Sequence, residues 1–90
     1  MTIEESIRQR LARLAPVALE LVDESSGHVG HAGWKPGGAT HWRLRIVAEA
    51  FRGKPTVARH RMVYDALAEL MENPIHALAI TARAPGEPGA

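Results

Sequence analysis

The sequence predicts a single small α+β domain in which three strands form a mixed sheet and the helices pack on one of its faces. Apolar residues recur at helical spacing in two segments, near the start of the chain and after residue 56, and they alternate over residues 42–49. The resulting element order is α-β-β-α-β. Because the second and third strands are joined through a helix, a right-handed crossover makes them parallel, whereas the first and second strands pair antiparallel.

The first helix is predicted to begin after Thr2, because Thr2 and Glu5 have the spacing of a capping box. Four apolar residues then recur at intervals that place them on one helical face: Ile3, Ile7, Leu11 and Leu14. Pro16 ends this helix, and residues 17–22 form a short first strand.

A glycine-rich segment follows the first strand. Between residues 25 and 40 the density of glycine is higher than the interior of a helix or strand tolerates. Loops longer than about 12–15 residues in compact domains are usually functional or disordered. This loop carries His28 and His31, which makes it a candidate ligand-bearing segment.

The second strand and the second helix are indicated by a change of periodicity. Over residues 42–49 the side chains alternate, which places Arg43 and Arg45 on the open face or the edge of the sheet. Apolar residues then follow helical spacing over residues 57–72, and His60 falls on the same stripe. The longest element of the chain is therefore predicted to be this helix.

The third strand is predicted at residues 75–82, which are rich in isoleucine, leucine and threonine. The domain is accordingly expected to span residues 1–83. Residues 84–90 consist mainly of proline and glycine and are predicted to form a disordered C-terminal tail.

The composition excludes several kinds of site. The chain has no cysteine, so a disulfide, a thiolate nucleophile or an iron–sulfur cluster held by its own cysteines is excluded. No nucleophile elbow, phosphate loop or pair of carboxylates is recognisable, and we expect no catalytic activity of its own. Neither an apolar run of about 18 residues nor a signal-peptide pattern occurs, so we expect a cytoplasmic protein that does not enter a membrane.

Six short motifs occur in an order and spacing that resemble the BolA family: Asp23-Glu24-Ser25, Gly27-His28, Thr40-His41-Trp42, Phe51-x-Gly53-Lys54, Arg59-His60-Arg61-x-Val63-Tyr64 and Ile75-His76-Ala77-Leu78. The resemblance runs from residue 3 to residue 83. It implies a fold similar to the class II KH domain, which agrees with the element order derived from periodicity. It also implies a partner, because BolA-like proteins pair with monothiol glutaredoxins and share a [2Fe-2S] cluster in iron–sulfur assembly or iron sensing.

The resemblance further implies which residues bind the cluster. His76 corresponds to the ligand histidine of the family, and imidazole can replace thiolate on one iron of such a cluster. His28 corresponds to a second, variable ligand in the loop, with His31 as the alternative. The remaining two of four ligands would be a glutaredoxin cysteine and the thiolate of glutathione. The isolated chain is expected to carry no cofactor and to be a monomer or a weak homodimer formed through an open strand edge.

The histidines also admit other interpretations. An isolated His76 is compatible with a half-buried strand-start residue whose ring is satisfied by a backbone carbonyl. His41 is predicted to be structural, fixing the base of the loop by a hydrogen bond, and His60 is predicted to be packed in the core. Zinc binding by His28 and His31 is a further alternative, although a zinc site needs three or four ligands and the loop supplies two.

A basic cluster near the start of the second helix forms an alternative site: Arg52, Lys54, Arg59 and Arg61. Such a cluster can neutralise phosphates, and the resemblance implies that some bacterial members are DNA-binding transcriptional regulators of stress response or morphology. It can also receive glutathione carboxylates or an acidic partner surface, or be a solvated face. A KH module clamps nucleic acid with a Gly-x-x-Gly turn, but residues 53–56 lack the second glycine.

Overall fold

Thr2 initiates the first helix as its capping pattern predicts. The computed structural model describes residues 1–24 and 40–90, and its first helix, α1, spans Ile3–Leu11. The Thr2 hydroxyl accepts a hydrogen bond from the backbone N–H of Glu5 at 3.1 Å, and the Glu5 carboxylate accepts one from the backbone N–H of Thr2 at 3.2 Å. A 3-10 turn at Ala12–Leu14 extends the helix almost to Pro16, which confirms the predicted end.

Three strands form the mixed sheet that the sequence predicts. The strands are β1 (Ala18–Asp23), β2 (His41–Val47) and β3 (Ala77–Arg83). Strand β2 lies in the middle, antiparallel to β1 and parallel to β3, and Leu44 stands opposite both Leu21 and Ile80. Both predicted pairings are therefore confirmed, with strand ends that differ from the prediction by one or two residues.

The predicted second helix is divided in two. The structure has α2 at Thr56–Ala66 and α3 at Ala68–Glu72. Between them lies Leu67, whose backbone N–H is shared between the carbonyls of Val63 at 3.1 Å and Tyr64 at 3.2 Å. Sharing of one N–H between two carbonyls is common at helix ends, where it accompanies a tighter turn. The prediction of one continuous helix is therefore wrong at this residue.

The apolar stripe of α2 starts later than the sequence predicts. Val57 is 61% exposed and His60 is half-buried, whereas Val63 and Ala66 are buried. Residues 52–55, which precede the helix, are all exposed, so the first turn of α2 stands at the margin of the core. The expectation that His60 is a core residue is corrected accordingly.

The helices cover the face of the sheet to which Leu44 and Ile46 point. Both side chains are fully buried in a cluster to which every helix contributes: Ile7 and Leu11 from α1, Val63 from α2 and Leu70 from α3. Arg43, which precedes Leu44, is exposed on the other face, as the alternation predicts, and Arg45, between Leu44 and Ile46, is half-buried. None of the helices in the described part of the chain has the length and apolar character of a membrane span.

Residues 84–90, here called the tail, have defined contacts where the sequence predicts disorder. Ala84 is fully buried, and the backbone N–H of Glu87 donates to the Ala84 carbonyl at 3.2 Å. Four arginine side chains donate hydrogen bonds to the tail: Arg45, Arg52, Arg59 and Arg83. A segment of this composition can bury little apolar surface, which is why the sequence predicts disorder. Polar contacts from residues that are distant in the sequence cannot be predicted from composition.

Candidate functional site

His76 stands immediately before β3 with its side chain exposed. The preceding residue, Ile75, is buried in the core, so the backbone directs the next side chain outward. The backbone N–H of His76 donates to the carbonyl of Thr40 at 2.6 Å. Among the described residues, the imidazole itself has no hydrogen-bond partner. In the described residues, the Thr40 carbonyl binds the backbone N–H of His76, and no backbone carbonyl binds its ring.

Thr40 and His41 form the support on which His76 rests. Thr40 is fully buried, and its carbonyl accepts hydrogen bonds from the backbone N–H groups of both His76 and Ala77, the latter at 3.0 Å. Its Oγ1 lies 3.0 Å from Nδ1 of His41, whose side chain is nearly buried. The ring centroids of His41 and His76 are 5.5 Å apart. The structural role expected for His41 agrees with this arrangement, whereas the role of Thr40 was missed although it begins the Thr-His-Trp motif.

Glu24 and Thr40, the described residues that flank the segment 25–39, both have backbone hydrogen bonds at the edge of the sheet where His76 lies. On one side, the backbone N–H of Glu24 donates to the carbonyl of His41 at 2.8 Å. On the other side, Thr40 binds the backbone of His76 as described above. A depression of about 280 Å³ opens at the same edge of the sheet, where β1 ends and where β2 and β3 begin.

His28 and His31, the two candidate ligands in the loop, lie outside the described residues. Within residues 1–24 and 40–90, no group of three or more histidine and carboxylate side chains is arranged to hold a metal ion. A metal centre that includes His76 must therefore take further ligands from the segment 25–39 or from another molecule.

The basic cluster is not a uniform open patch. Arg59 donates from Nη1 and Nη2 to the two carboxylate oxygens of Glu87 at 2.7 and 2.9 Å, and only 11% of its side chain is exposed. Arg52 donates to the carboxylate of Glu49 at 2.9 Å. Lys54 and Arg61 are exposed and have no ion pair among the described residues. Of the four cations in the predicted cluster, Arg52 and Arg59 are thus paired with carboxylates, while Lys54 and Arg61 have no ion pair in the described part of the chain.

Glu87 is expected to make stability depend on pH in the acid range. The side chain of Arg59, and next the backbone N–H of Ala84, lower the pKa of the Glu87 carboxyl from 4.5 to about 2. A carboxyl whose pKa is lowered by folding stabilises the fold above its unfolded pKa, and this contribution is lost as the pH falls towards the folded pKa. The loss should therefore occur between pH 4.5 and about 2.

Glu87→Gln removes the titrating group while it keeps the shape of the side chain. The variant should melt a few degrees below wild type at neutral pH, and the difference should shrink as the pH falls below 4.5. Thermal denaturation followed by far-ultraviolet circular dichroism measures both curves. Melting curves that stay parallel down to pH 2 would show that Glu87 contributes no such dependence.

Comparison with known proteins gives consistent matches over most of the chain. The family described as BolA-like protein matches residues 11–87. SufE-like protein 1, chloroplastic/mitochondrial, of Arabidopsis thaliana is 45% identical over 86 residues, which are 90% of this chain and 23% of that protein. The DNA-binding transcriptional regulator BolA of Escherichia coli (strain K12) is 41% identical over 81 residues, which are 89% of this chain and 73% of that protein.

The fold agrees with these matches. The solved structure of the BolA domain of SufE1 from Arabidopsis thaliana superposes with a TM-score of 0.79 at 45% identity, over 90% of each chain. The chain spans less than two thirds of the length of several curated relatives that it matches, among them the Arabidopsis SufE-like protein. With a family match that covers most of its residues, and a fold shared with a solved member, this chain belongs to the BolA-like protein family.

Proposed function

We propose that this chain binds a monothiol glutaredoxin and contributes His76 to a [2Fe-2S] cluster that the two proteins share, in the assembly or trafficking of iron–sulfur clusters or in iron regulation. The exposed imidazole of His76, which has no hydrogen-bond partner among the described residues, supports the proposal most directly. When a metal is held between two proteins, a histidine ligand must expose a ring nitrogen whose lone pair is available to the metal. Family membership supplies the second support.

The donor set of the chain fits a shared cluster better than one of its own. A [2Fe-2S] cluster takes four terminal ligands, and the chain has no cysteine. His76 would supply one ligand and His28, or His31 in its place, a second. A glutaredoxin cysteine and the glutathione thiolate would supply the other two. Such a cluster, when bound, provides a redox centre whose potential histidine ligation raises and an iron–sulfur unit for transfer.

The rest of the site holds His76 in place. The Thr40 carbonyl binds the backbone N–H groups on both sides of the His76 side chain, from His76 and Ala77, so the strand start cannot rotate freely. The neighbouring ring of His41 is itself fixed through Thr40. A ligand held by its backbone loses less entropy when it binds a metal than one on an unconstrained segment. The chain would thus present the His76 imidazole to a partner from a fixed backbone position.

Anaerobic reconstitution tests the proposal. The chain is mixed with a monothiol glutaredoxin, glutathione, ferrous iron and sulfide, and the products are separated by size-exclusion chromatography and examined by visible circular dichroism. The proposal predicts a coloured heterodimer whose spectrum differs from that of the glutaredoxin homodimer. Elution of the glutaredoxin homodimer alone, with an unchanged spectrum, would contradict it.

DNA binding is the second candidate function. Its support is the 41% identity to an Escherichia coli protein named as a DNA-binding transcriptional regulator, together with the exposed cations Lys54 and Arg61. Arg59 contributes little to such a surface, since Glu87 neutralises it. The candidate site therefore lies at the turn before α2 and on the outer side of that helix.

The salt dependence of DNA binding should depend on Lys54 and Arg61. If Lys54 and Arg61 each contact a phosphate, replacing both with alanine should reduce the slope of log K against log salt by about 2, because each contact contributes about 0.9. Fluorescence anisotropy with a labelled duplex measures the slope. Arg13→Ala, an exposed arginine in the 3-10 turn after α1, is the matched control and should leave the slope unchanged. An equal slope in the double variant and wild type would exclude this surface.

A further inference from the structure

The tail is bound by arginine side chains that come from four different parts of the fold. Arg52 donates to the Pro85 carbonyl at 2.8 Å, Arg83 donates to the Pro88 carbonyl at 3.1 Å, and Arg45 of β2 donates to the Gly89 carbonyl. Arg59 of α2 binds the only carboxylate side chain of the tail, that of Glu87. Together these four residues are here called the arginine surface.

The pair of Arg59 and Glu87 is the centre of this contact. It is bidentate, which is the strongest geometry available to a guanidinium and a carboxylate. The exposed fractions of the two side chains are 11% and 29%, so water screens the pair less than it screens an ordinary surface ion pair. The same guanidinium also donates to the carbonyls of Lys54 and Ala82 at 2.8 and 3.1 Å, which hold it in position from behind.

The tail contributes little beyond these polar groups. Of its residues only Ala84 is buried, and residues 85–90 are half-buried or exposed. Three of the four arginine contacts are to backbone carbonyls, which every peptide carries, and the fourth is to a carboxylate. The arginine surface thus selects for a carboxylate with peptide carbonyls on both sides of it. It makes no use of side chains that are particular to this tail.

We propose that the arginine surface is a binding surface for a carboxylate-bearing peptide segment of a partner protein, and that the tail occupies it as an internal competitor. The way in which the chain binds its own tail serves as the template for this complex. A depression of about 350 Å³ adjoins Glu87 and is lined by Lys54, Thr56 and Arg83, so the surface offers a further cation to a second acidic side chain.

The geometry favours a peptide over a nucleic acid at this surface. Phosphate oxygens also accept hydrogen bonds from arginine, but each phosphate brings a negative charge, whereas the three groups bound by Arg45, Arg52 and Arg83 are neutral backbone carbonyls. Arg52 is already paired with the carboxylate of Glu49, which would repel a phosphate at this position but not the neutral carbonyl that Arg52 binds in the tail. DNA binding at this surface would contradict the proposal, and it is one of the outcomes that the test distinguishes.

The test is a nuclear magnetic resonance titration of the full chain with a synthetic peptide of the tail sequence, Ala-Pro-Gly-Glu-Pro-Gly-Ala. A tethered competitor reaches effective concentrations of the order of millimolar, so weakening it should reveal the surface. In Glu87→Gln the peptide should shift the Arg59 side-chain signal with an apparent affinity at least about fivefold higher than in wild type. The double variant Arg59→Gln/Glu87→Gln has no Arg59 signal, and in it the peptide should leave the side-chain signals of Arg52 and Arg83 unshifted.

Two further readouts make the outcome decisive. In wild type, saturating peptide should move the amide signals of Gly86 and Gly89, because the tail is displaced. A peptide with glutamine in place of glutamate should leave all of these signals unchanged. Equal affinities in wild type and Glu87→Gln, or peptide binding without movement of the tail signals, would overturn the proposal. Tighter binding of a DNA duplex but not of the peptide by Glu87→Gln would also overturn it.

Discussion

Replacing His76 with glutamine is expected to lower the cluster content of the glutaredoxin complex at least about tenfold. Loss of a residue that only hydrogen-bonds a metal ligand already lowers metal affinity about 10–100-fold, and loss of the ligand itself should cost at least as much. Glutamine keeps a polar side chain of similar size but has no imidazole nitrogen. The fold should be unaffected, because the side chain is exposed and the contact with Thr40 uses the backbone N–H. Iron and sulfide analysis of the purified heterodimer, with its visible circular dichroism, measures the effect.

His60→Gln is the matched control for this substitution. His60 lies in α2, is half-buried, and is not part of the contacts between Thr40, His41 and His76. Its replacement should leave the cluster content within experimental error of wild type. Equal cluster loss in both variants would indicate a general effect on folding, and no loss in the His76 variant would remove His76 from the proposed ligand set.

Leu44→Ala should produce the largest loss of stability. Leu44 is fully buried in the middle strand, between Leu21 of β1 and Ile80 of β3, and it belongs to the cluster that joins the sheet to the helices. Truncating a buried leucine to alanine removes apolar burial and leaves a cavity, at a cost of about 2–5 kcal/mol. For a domain of this size, such a loss is a large part of the total free energy of unfolding.

Chemical denaturation with urea measures this loss, and the neighbouring residue provides the control. Arg43 adjoins Leu44 on the same strand but lies on the open face, with 66% of its side chain exposed and a 3.1 Å ion pair to Glu24. Because exposed ion pairs contribute little, Arg43→Ala should cost no more than about 1 kcal/mol. If the two variants lost similar free energies, the core would not lie on the face that the structure assigns to it.

The alternation of β2 shows why much of the fold was predictable. One face of this strand meets the helices and the other meets solvent, so Leu44 and Ile46 alternate with Arg43 and Arg45 in the sequence itself. The capping pattern at Thr2 is equally local. The pairing directions followed from a general rule about connections. Features that depend on neighbours in the sequence, or on such rules, could therefore be derived without the structure.

The features that were missed depend on contacts between distant residues. The tail is polar and rich in proline and glycine, which indicates disorder when it is considered alone. Its contacts come from four arginine side chains, among them Arg59, which stands 28 residues before Glu87. The division of the second helix at Leu67 could not be predicted either, because no glycine or proline lies at that point of the sequence. The same ion pair leaves the basic cluster with fewer unpaired cations than the sequence suggests. A count of cations does not show which of them is already neutralised.

The candidate site has some features that the sequence predicts and others that depend on contacts between distant residues. The resemblance identified His76 as a ligand candidate, but its exposure depends on Ile75 being anchored in the core. The support from Thr40, which is 36 positions away in the chain, follows from the parallel pairing of β2 and β3 and was not visible in the sequence. His28 and His31 stay predictions based on the family pattern.

The most direct test of the proposed shared cluster is pulsed electron paramagnetic resonance of the reduced heterodimer, with nitrogen-15 histidine incorporated into this chain alone. Because only this chain is labelled, any strong nitrogen-15 coupling to the cluster must come from one of its histidines. We predict such a coupling, of the size expected for a nitrogen bound directly to iron. A heterodimer that carries the cluster but shows no strong nitrogen-15 coupling would contradict ligation by this chain.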